Sequence, residues 1–166
     1  YLGSEDNKTF TFRIREGLKW SDGVPVTTED VRFAYEDVTM HPELTTSVPN
    51  WISYEGKAGA LTIIDDYTFA FTFPEENGSF VKNVMFNEWV EYSRIIKPSH
   101  YLKQFHASYA SEEEIARHIA ESDLEDGSTW LQLYLLKDAF NRYITSRKSL
   151  GMPMLTPWRL VSVENE

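Results

Sequence analysis

The chain has 166 residues, a formal net charge of −10 at pH 7, 14% aromatic residues and no cysteine. That length is one domain's worth and long enough for a real core, while the acidic balance argues against nucleic acid or an anionic membrane surface as a partner. Without cysteine there are no disulfides, no thiolate catalysis and no cysteine-type zinc site, and no apolar run approaches the roughly 20 residues that span a bilayer as a helix.

Phe10, Phe12 and Ile14 alternate with Thr11, Arg13 and Arg15, a period of two that predicts a strand with one apolar face. Ser21-Asp22-Gly23 carries turn chemistry, since glycine accepts positive φ and aspartate can bond its own backbone. Pro25 keeps Val24 extended. Thr27 followed by Asp30 predicts a capped helix start. Val31, Ala34, Tyr35 and Val38 then fall on one helical face, with Arg32 and Glu36 paired outside. His41 to Asn50 reads as irregular, broken by Pro42 and Pro49.

A hairpin follows. Leu61 and Ile63 line one face of its first strand, Tyr67, Phe69, Phe71 and Phe73 one face of its second, and Asp65-Asp66 make the turn. Ser79 starts a short helix through Val81, Val84 and Met85; residues 89–96 read as extended; Pro98 opens another short helix, where its missing N–H costs nothing. Ser111 with Glu114 is a capping box, Glu112 to Glu114 suit the positive helix end, and Ile115 and Ile119 are the buried face. Asp126-Gly127-Ser128 precedes the longest expected helix, about Thr129 to Ser146, with Leu133, Leu136, Phe140 and Tyr143 or Ile144 inside. Gly151 and Pro153 stop it, and residues 158–163 return as a strand. A sheet with peripheral helices in irregular order is an α+β fold with a mixed sheet, expected as a single domain over residues 1–166.

Chemistry-bearing patterns are sparse. Asp65-Asp66 reads as a turn, because adjacent side chains diverge and seldom share a site. Glu112-Glu113-Glu114 reads as a solvated helix start. His100 and His106 are six apart, about 600° of rotation on one helix, and so face differently. His41 and His118 have no companion at ligand spacing. No Gly-x-Ser-x-Gly elbow and no glycine-rich phosphate loop occurs. The reading is therefore non-enzymatic, with no catalytic residue, no metal site and no cofactor. Trp20, Trp130 and Trp158 read as packing anchors.

The string from Phe10 to Val31, read as F-x-[LI]-R-x-G-[VL]-K-W-S-D-G-x-P-[VT]-T-x-E-D-V, resembles family 5 of the extracellular solute-binding proteins. These are the oligopeptide-, dipeptide- and nickel-binding components of ABC importers. Thr28 stands where the family usually has alanine, a departure expected to matter little. Ile64 to Phe69, Pro98 to His106 and Met154 to Leu160 resemble later family segments; residues 107–150 match nothing specific. The resemblance implies a piece of the accessory part of lobe I of a type II periplasmic-binding-protein fold, excised from a longer multi-lobed receptor. It implies peptide as the likeliest ligand class, an ABC permease and the remaining lobes as partners, and a place in the periplasm or on the extracellular face. Membrane attachment, as in a lipoprotein, would run only through an anchor outside this segment.

In that family the segment after the first helix approaches the rim of the ligand cleft. This singles out Asn50 and Trp51 as ligand-binding candidates, with Trp89 as a third. The competing reading is a loop aromatic folded onto its own lobe. Two other functions stay open: a carbohydrate-binding module, which would need Trp51, Trp89 and Trp130 in one exposed row, and the sensing domain of a transcription regulator.

Overall fold

The computed structural model describes residues 1–85, 92–138, 150–156 and 162. They fall into two compact units, Tyr1–Leu18 with Pro25–Lys97, and Lys19–Val24 with Pro98–Glu166. In order, the first unit holds β1 (Leu2–Gly3), β2 (Thr9–Arg13), α1 (Thr28–Arg32), β3 (Ser53–Tyr54), β4 (Lys57–Ala58), β5 (Ala60–Ile63), β6 (Thr68–Thr72), α2 (Phe80–Met85) and α3 (Tyr92–Ile95).

The α+β class holds. The sheet, expected to be mixed, is antiparallel among the described strands, in the order β1-β2-β6-β5, with β3 and β4 forming a separate antiparallel pair. Short connections favour that outcome, because parallel neighbours need long crossovers. The alternation in β2 sets its register on β6. Phe10 lies opposite Phe71 and Phe12 opposite Phe69, and all four rings are buried. Phe12 stacks on Phe69 with centroids 5.4 Å apart. Phe80, on α2, closes the cluster at 5.2 Å from Phe10, 5.6 Å from Phe71 and 4.7 Å from Phe73. Sequence periodicity had not placed Phe80 in the core. Ile63 was expected on an apolar face but is 40% exposed, because β5 is an edge strand.

The helix begins as expected. The Asp30 carboxylate accepts the Thr27 N–H at 3.2 Å, half of a capping box. After Arg32 the backbone widens into a π-helix, Phe33–Thr39. Thr39 Oγ1 donates to the Ala34 carbonyl at 2.8 Å and the Met40 N–H to that of Tyr35 at 2.9 Å, both five residues back. The added residue per turn spoils the expected 3.6-residue face. Phe33 and Thr39 are buried, whereas Tyr35 and Val38 are half-buried. Arg32 pairs with Glu36 at 2.8 Å as expected, and also with Glu29 at 2.7 Å and Asp37 at 3.2 Å.

Thr28 is not the neutral substitution expected of it. It is 3% exposed, its hydroxyl donates to the Asp65 carbonyl at 2.8 Å, and its N–H donates to the Asp66 carbonyl at 2.9 Å. The first turn of α1 is thus tied to the β5–β6 hairpin. That hairpin turns as expected, with Asp65 Oδ1 accepting the Tyr67 N–H at 2.8 Å. Residues 92–95 are helical rather than extended, and the Ile96 N–H reaches the Tyr92 carbonyl at 2.9 Å. A short segment rich in aromatic and β-branched side chains suits either form, and tertiary context decides.

The second unit contains α4 (Ser99–Leu102) running into a 3₁₀ turn, Lys103–Phe105, then α5 (Glu112–Ala120) and α6 (Trp130–Lys137). Pro98 sits at the N-cap of α4. The Ser111–Glu114 box forms as expected, with Glu114 Oε2 accepting the Ser111 N–H at 2.8 Å and Ser111 Oγ accepting the Glu114 N–H at 3.3 Å. Thr129 and Gln132 make a second box on α6. Phe105, Ile115 and Leu133 form the core of this unit, with Tyr101, Ile119, Leu124 and Trp130 packed around them. The long helix expected to reach Ser146 ends at Lys137, because Asp138 leaves helical geometry at ψ 51°. Phe140, Tyr143, Ile144 and Trp158 lie outside the described residues, as does the strand expected over 158–163 except position 162.

Two substitutions test these contacts. A Cβ on Gly59 would stand 2.6 Å from Phe73 Cε1, so Gly59→Ala should destabilise by about 1–3 kcal/mol through overpacking. Thr28→Ala, which strips a donor from the Asp65 carbonyl, should cost about 1 kcal/mol. Urea midpoints measure both; a Thr28→Ala midpoint equal to that of the parent chain would refute the tie between helix and hairpin.

Candidate functional site

The segment singled out by sequence is a tight turn held at both ends. The Ile52 N–H donates to the Pro49 carbonyl at 3.1 Å, which leaves Asn50 and Trp51 as the two central residues. Ile52 is fully buried and its carbonyl accepts the Gly59 N–H at 2.8 Å. Tyr35 donates its hydroxyl to the Gly59 carbonyl at 2.7 Å. Burial, helped by the Glu36 charge, pushes the Tyr35 phenol above its ordinary range, so it remains a donor.

Asn50 is exposed, whereas Trp51 is half-buried. Its ring meets Phe71 edge-on at 6.4 Å, and the Tyr35 ring meets the same Phe71 at 5.7 Å. Trp51 therefore packs on its own sheet while keeping part of the indole at the surface. The turn offers a carboxamide for hydrogen bonding and part of an aromatic surface for stacking, a set suited to holding a molecule rather than transforming one. Trp89 lies outside the described residues. Trp130 is half-buried, 4.9 Å from the His106 ring.

Sequence reasoning placed Tyr35 on a buried face but missed its hydroxyl as the brace of this turn. The signal was weak, since the bond spans 24 positions.

A second braced turn carries the Trp20-Ser21-Asp22-Gly23 string. Gly23 has φ +92°, and Asp22 Oδ1 accepts the Val24 N–H at 3.1 Å. Ser21 and Met154 bond reciprocally: the Ser21 N–H donates to the Met154 carbonyl at 3.0 Å, and the Met154 N–H to Ser21 Oγ at 3.1 Å. Asp22 Oδ2 lies 2.8 Å from His100 Nε2, and the His100 ring lies 6.4 Å from the buried Trp20. Burial raises the Asp22 pKa, but the bonds from His100 and the Val24 N–H outweigh it and hold the carboxyl below its ordinary range. Each of these bonds is spent on holding the turn.

Among the described residues no three histidine, aspartate or glutamate side chains converge as a metal-holding group, and no helix is long and apolar enough to cross a membrane. Residues 3–130 match the sequence profile of bacterial extracellular solute-binding proteins, family 5 Middle. The chain belongs to this family. Over 110 residues it is 36% identical to the periplasmic alpha-galactoside-binding protein of Rhizobium meliloti (strain 1021), a match covering 64% of this chain and 15% of the relative. It superposes on an oligopeptide-binding protein OppA with a TM-score of 0.74 and 31% identity, covering 97% of this chain and 23% of that one. A third relative is the periplasmic binding protein MelB of Agrobacterium fabrum C58, solved in complex with stachyose. There the TM-score is 0.64 at 27% identity, over 98% of this chain and 20% of that one. The chain thus spans under a quarter of the length of each of these family members.

The two turns make different predictions. Asn50→Ala should leave stability within about 0.5 kcal/mol, whereas Trp51→Ala should lose about 0.5–1.5 kcal/mol of ring contact beyond its buried area; equal urea midpoints for the two variants would contradict the packing described. Because the folded-state pKa of Asp22 is depressed, its contribution is complete above the ordinary carboxylate value and is lost as pH falls through the lower folded value. Asp22→Asn should flatten the acid limb of a thermal-melt series, and an unchanged slope would remove Asp22 from that account.

Proposed function

We propose that the chain forms part of the substrate-binding component of an ABC importer that takes up oligopeptides, acting as a non-catalytic lobe segment outside the cytoplasmic membrane. The superposition on OppA over 97% of the chain, at 31% identity, carries this reading. The whole receptor would trap ligand between lobes that close by hinge motion. It would hold the peptide main chain through backbone groups, leave side chains in wet pockets, and deliver its ligand to an ABC permease. In this scheme the residues 1–166 act as one module. The segment as a whole would widen the ligand cleft, Asn50 and Trp51, with Trp89, would contact the ligand, and the membrane anchor of a lipoprotein would lie elsewhere.

A second reading has its own observation. The alpha-galactoside-binding relative and the stachyose complex of MelB favour an oligosaccharide as the ligand, with the partly exposed Trp51 ring as a sugar-stacking surface.

Calorimetry on the whole receptor decides between them. Saturable heat with a mixed oligopeptide pool and none with stachyose or raffinose is the expected result; the reverse would replace peptide by oligosaccharide. The 166-residue chain alone should give no saturable heat with the same pool, and micromolar binding to it would overturn the accessory-lobe assignment.

A further inference from the structure

Three hydrogen bonds run in series beneath the Asn50–Trp51 turn. The Ile52 N–H closes the turn on the Pro49 carbonyl at 3.1 Å, the Ile52 carbonyl accepts the Gly59 N–H at 2.8 Å, and the Gly59 carbonyl accepts the Tyr35 hydroxyl at 2.7 Å. Between Ile52 and Gly59 the chain is the β3–β4 hairpin, with Ser53 opposite Ala58 and Tyr54 opposite Lys57. At its tip Glu55 and Gly56 have φ +50° and +76°, the left-handed pair of a tight two-residue turn. A loop closed so tightly moves as one piece, so whatever fixes Gly59 also fixes Ile52 and the turn it closes.

Gly59 is fixed from two sides. It lies against the Phe73 ring, where a Cβ would stand 2.6 Å from Cε1, and its carbonyl is held by Tyr35. Tyr35 comes from the π-helix Phe33–Thr39, a rare backbone form that recurs at functional sites. Its ring and that of Trp51 rest on the same Phe71, at 5.7 and 6.4 Å. A tyrosine hydroxyl has one proton to donate, and here Gly59 receives it.

We infer that Tyr35 is a positioning residue for ligand binding. By holding Gly59 it keeps the Asn50 carboxamide and the Trp51 ring in place, so that less ordering is left to the moment of binding. This rests on the reading that Asn50 and Trp51 contact the ligand, and it holds for peptide and oligosaccharide alike.

Calorimetry on the whole receptor tests it, with the mixed oligopeptide pool or stachyose, whichever the parent binds. Tyr35→Phe, which removes only the hydroxyl, should weaken binding roughly fivefold. In the Asn50→Ala, Trp51→Ala background the same change should weaken it less than about twofold, because effects that act through one contact do not add. Parent affinity in Tyr35→Phe, beside a clear loss in the Asn50→Ala, Trp51→Ala variant, overturns the role of Tyr35 and leaves the ligand contact standing. Parent affinity in the Asn50→Ala, Trp51→Ala variant overturns the contact, and the role of Tyr35 with it. Fully additive losses make Tyr35 a merely structural residue. Hydrogen exchange in the parent needs no variant to fold: bound ligand should slow the Ile52 and Gly59 amides more than the Ile14 amide, which is bonded to the Tyr67 carbonyl in the same unit. Equal slowing, or none, overturns the inference.

Discussion

Pairing of β2 with β6 is the constraint on which the first unit depends. It sets Phe10 against Phe71 and Phe12 against Phe69, so a shift of β2 by one residue would turn its two rings to the face opposite those of β6. Phe80 then covers the cluster from α2, while Tyr35 and Trp51 both come to rest on Phe71. The candidate binding turn is thus seated on the central ring of the core. Its geometry follows from the register of two strands remote from it in sequence.

Local signals carried much of this fold. The alternation in β2, the Thr27 and Ser111 helix starts, the Asp65 turn and the aromatic face of β6 each depend on residues only a few positions apart, and each forms as the sequence predicts. What was illegible depends on distant partners. Thr28 looks like an ordinary first-turn residue until its hydroxyl meets the Asp65 carbonyl, 37 positions on. Asp22 and His100 meet across 78 positions. Phe33 is buried where α1 passes into the π-helix and Phe80 is carried into the core by a covering helix, and neither placement leaves a period in the sequence. The same holds at the candidate site. A loop tryptophan beside a proline was visible, but its half-burial on Phe71 and the brace from Tyr35 were not.

The family signature divides along the same line. Its strand and helix belong to the first unit, and its Trp20-Ser21-Asp22-Gly23 turn to the second. Every polar group of that turn with a described partner serves to hold the chain in place: Asp22 with His100 and Val24, Ser21 with Met154. A string that identifies a receptor family can consist of scaffold residues, and recognition can then vary elsewhere without disturbing it.

The π-helix at Phe33–Thr39 gives the first long helix two phases. Up to Arg32 each residue advances about 100° around the axis; across the wider coil each advances less, so side chains beyond it are rotated away from where a straight α-helix would aim them. The Thr28 end stays keyed to the hairpin turn, while the Tyr35 end is free to reach Gly59. An added residue inside a helix thereby works as a rotary offset. It lets one rod satisfy two docking geometries that a single helical pitch would set at odds.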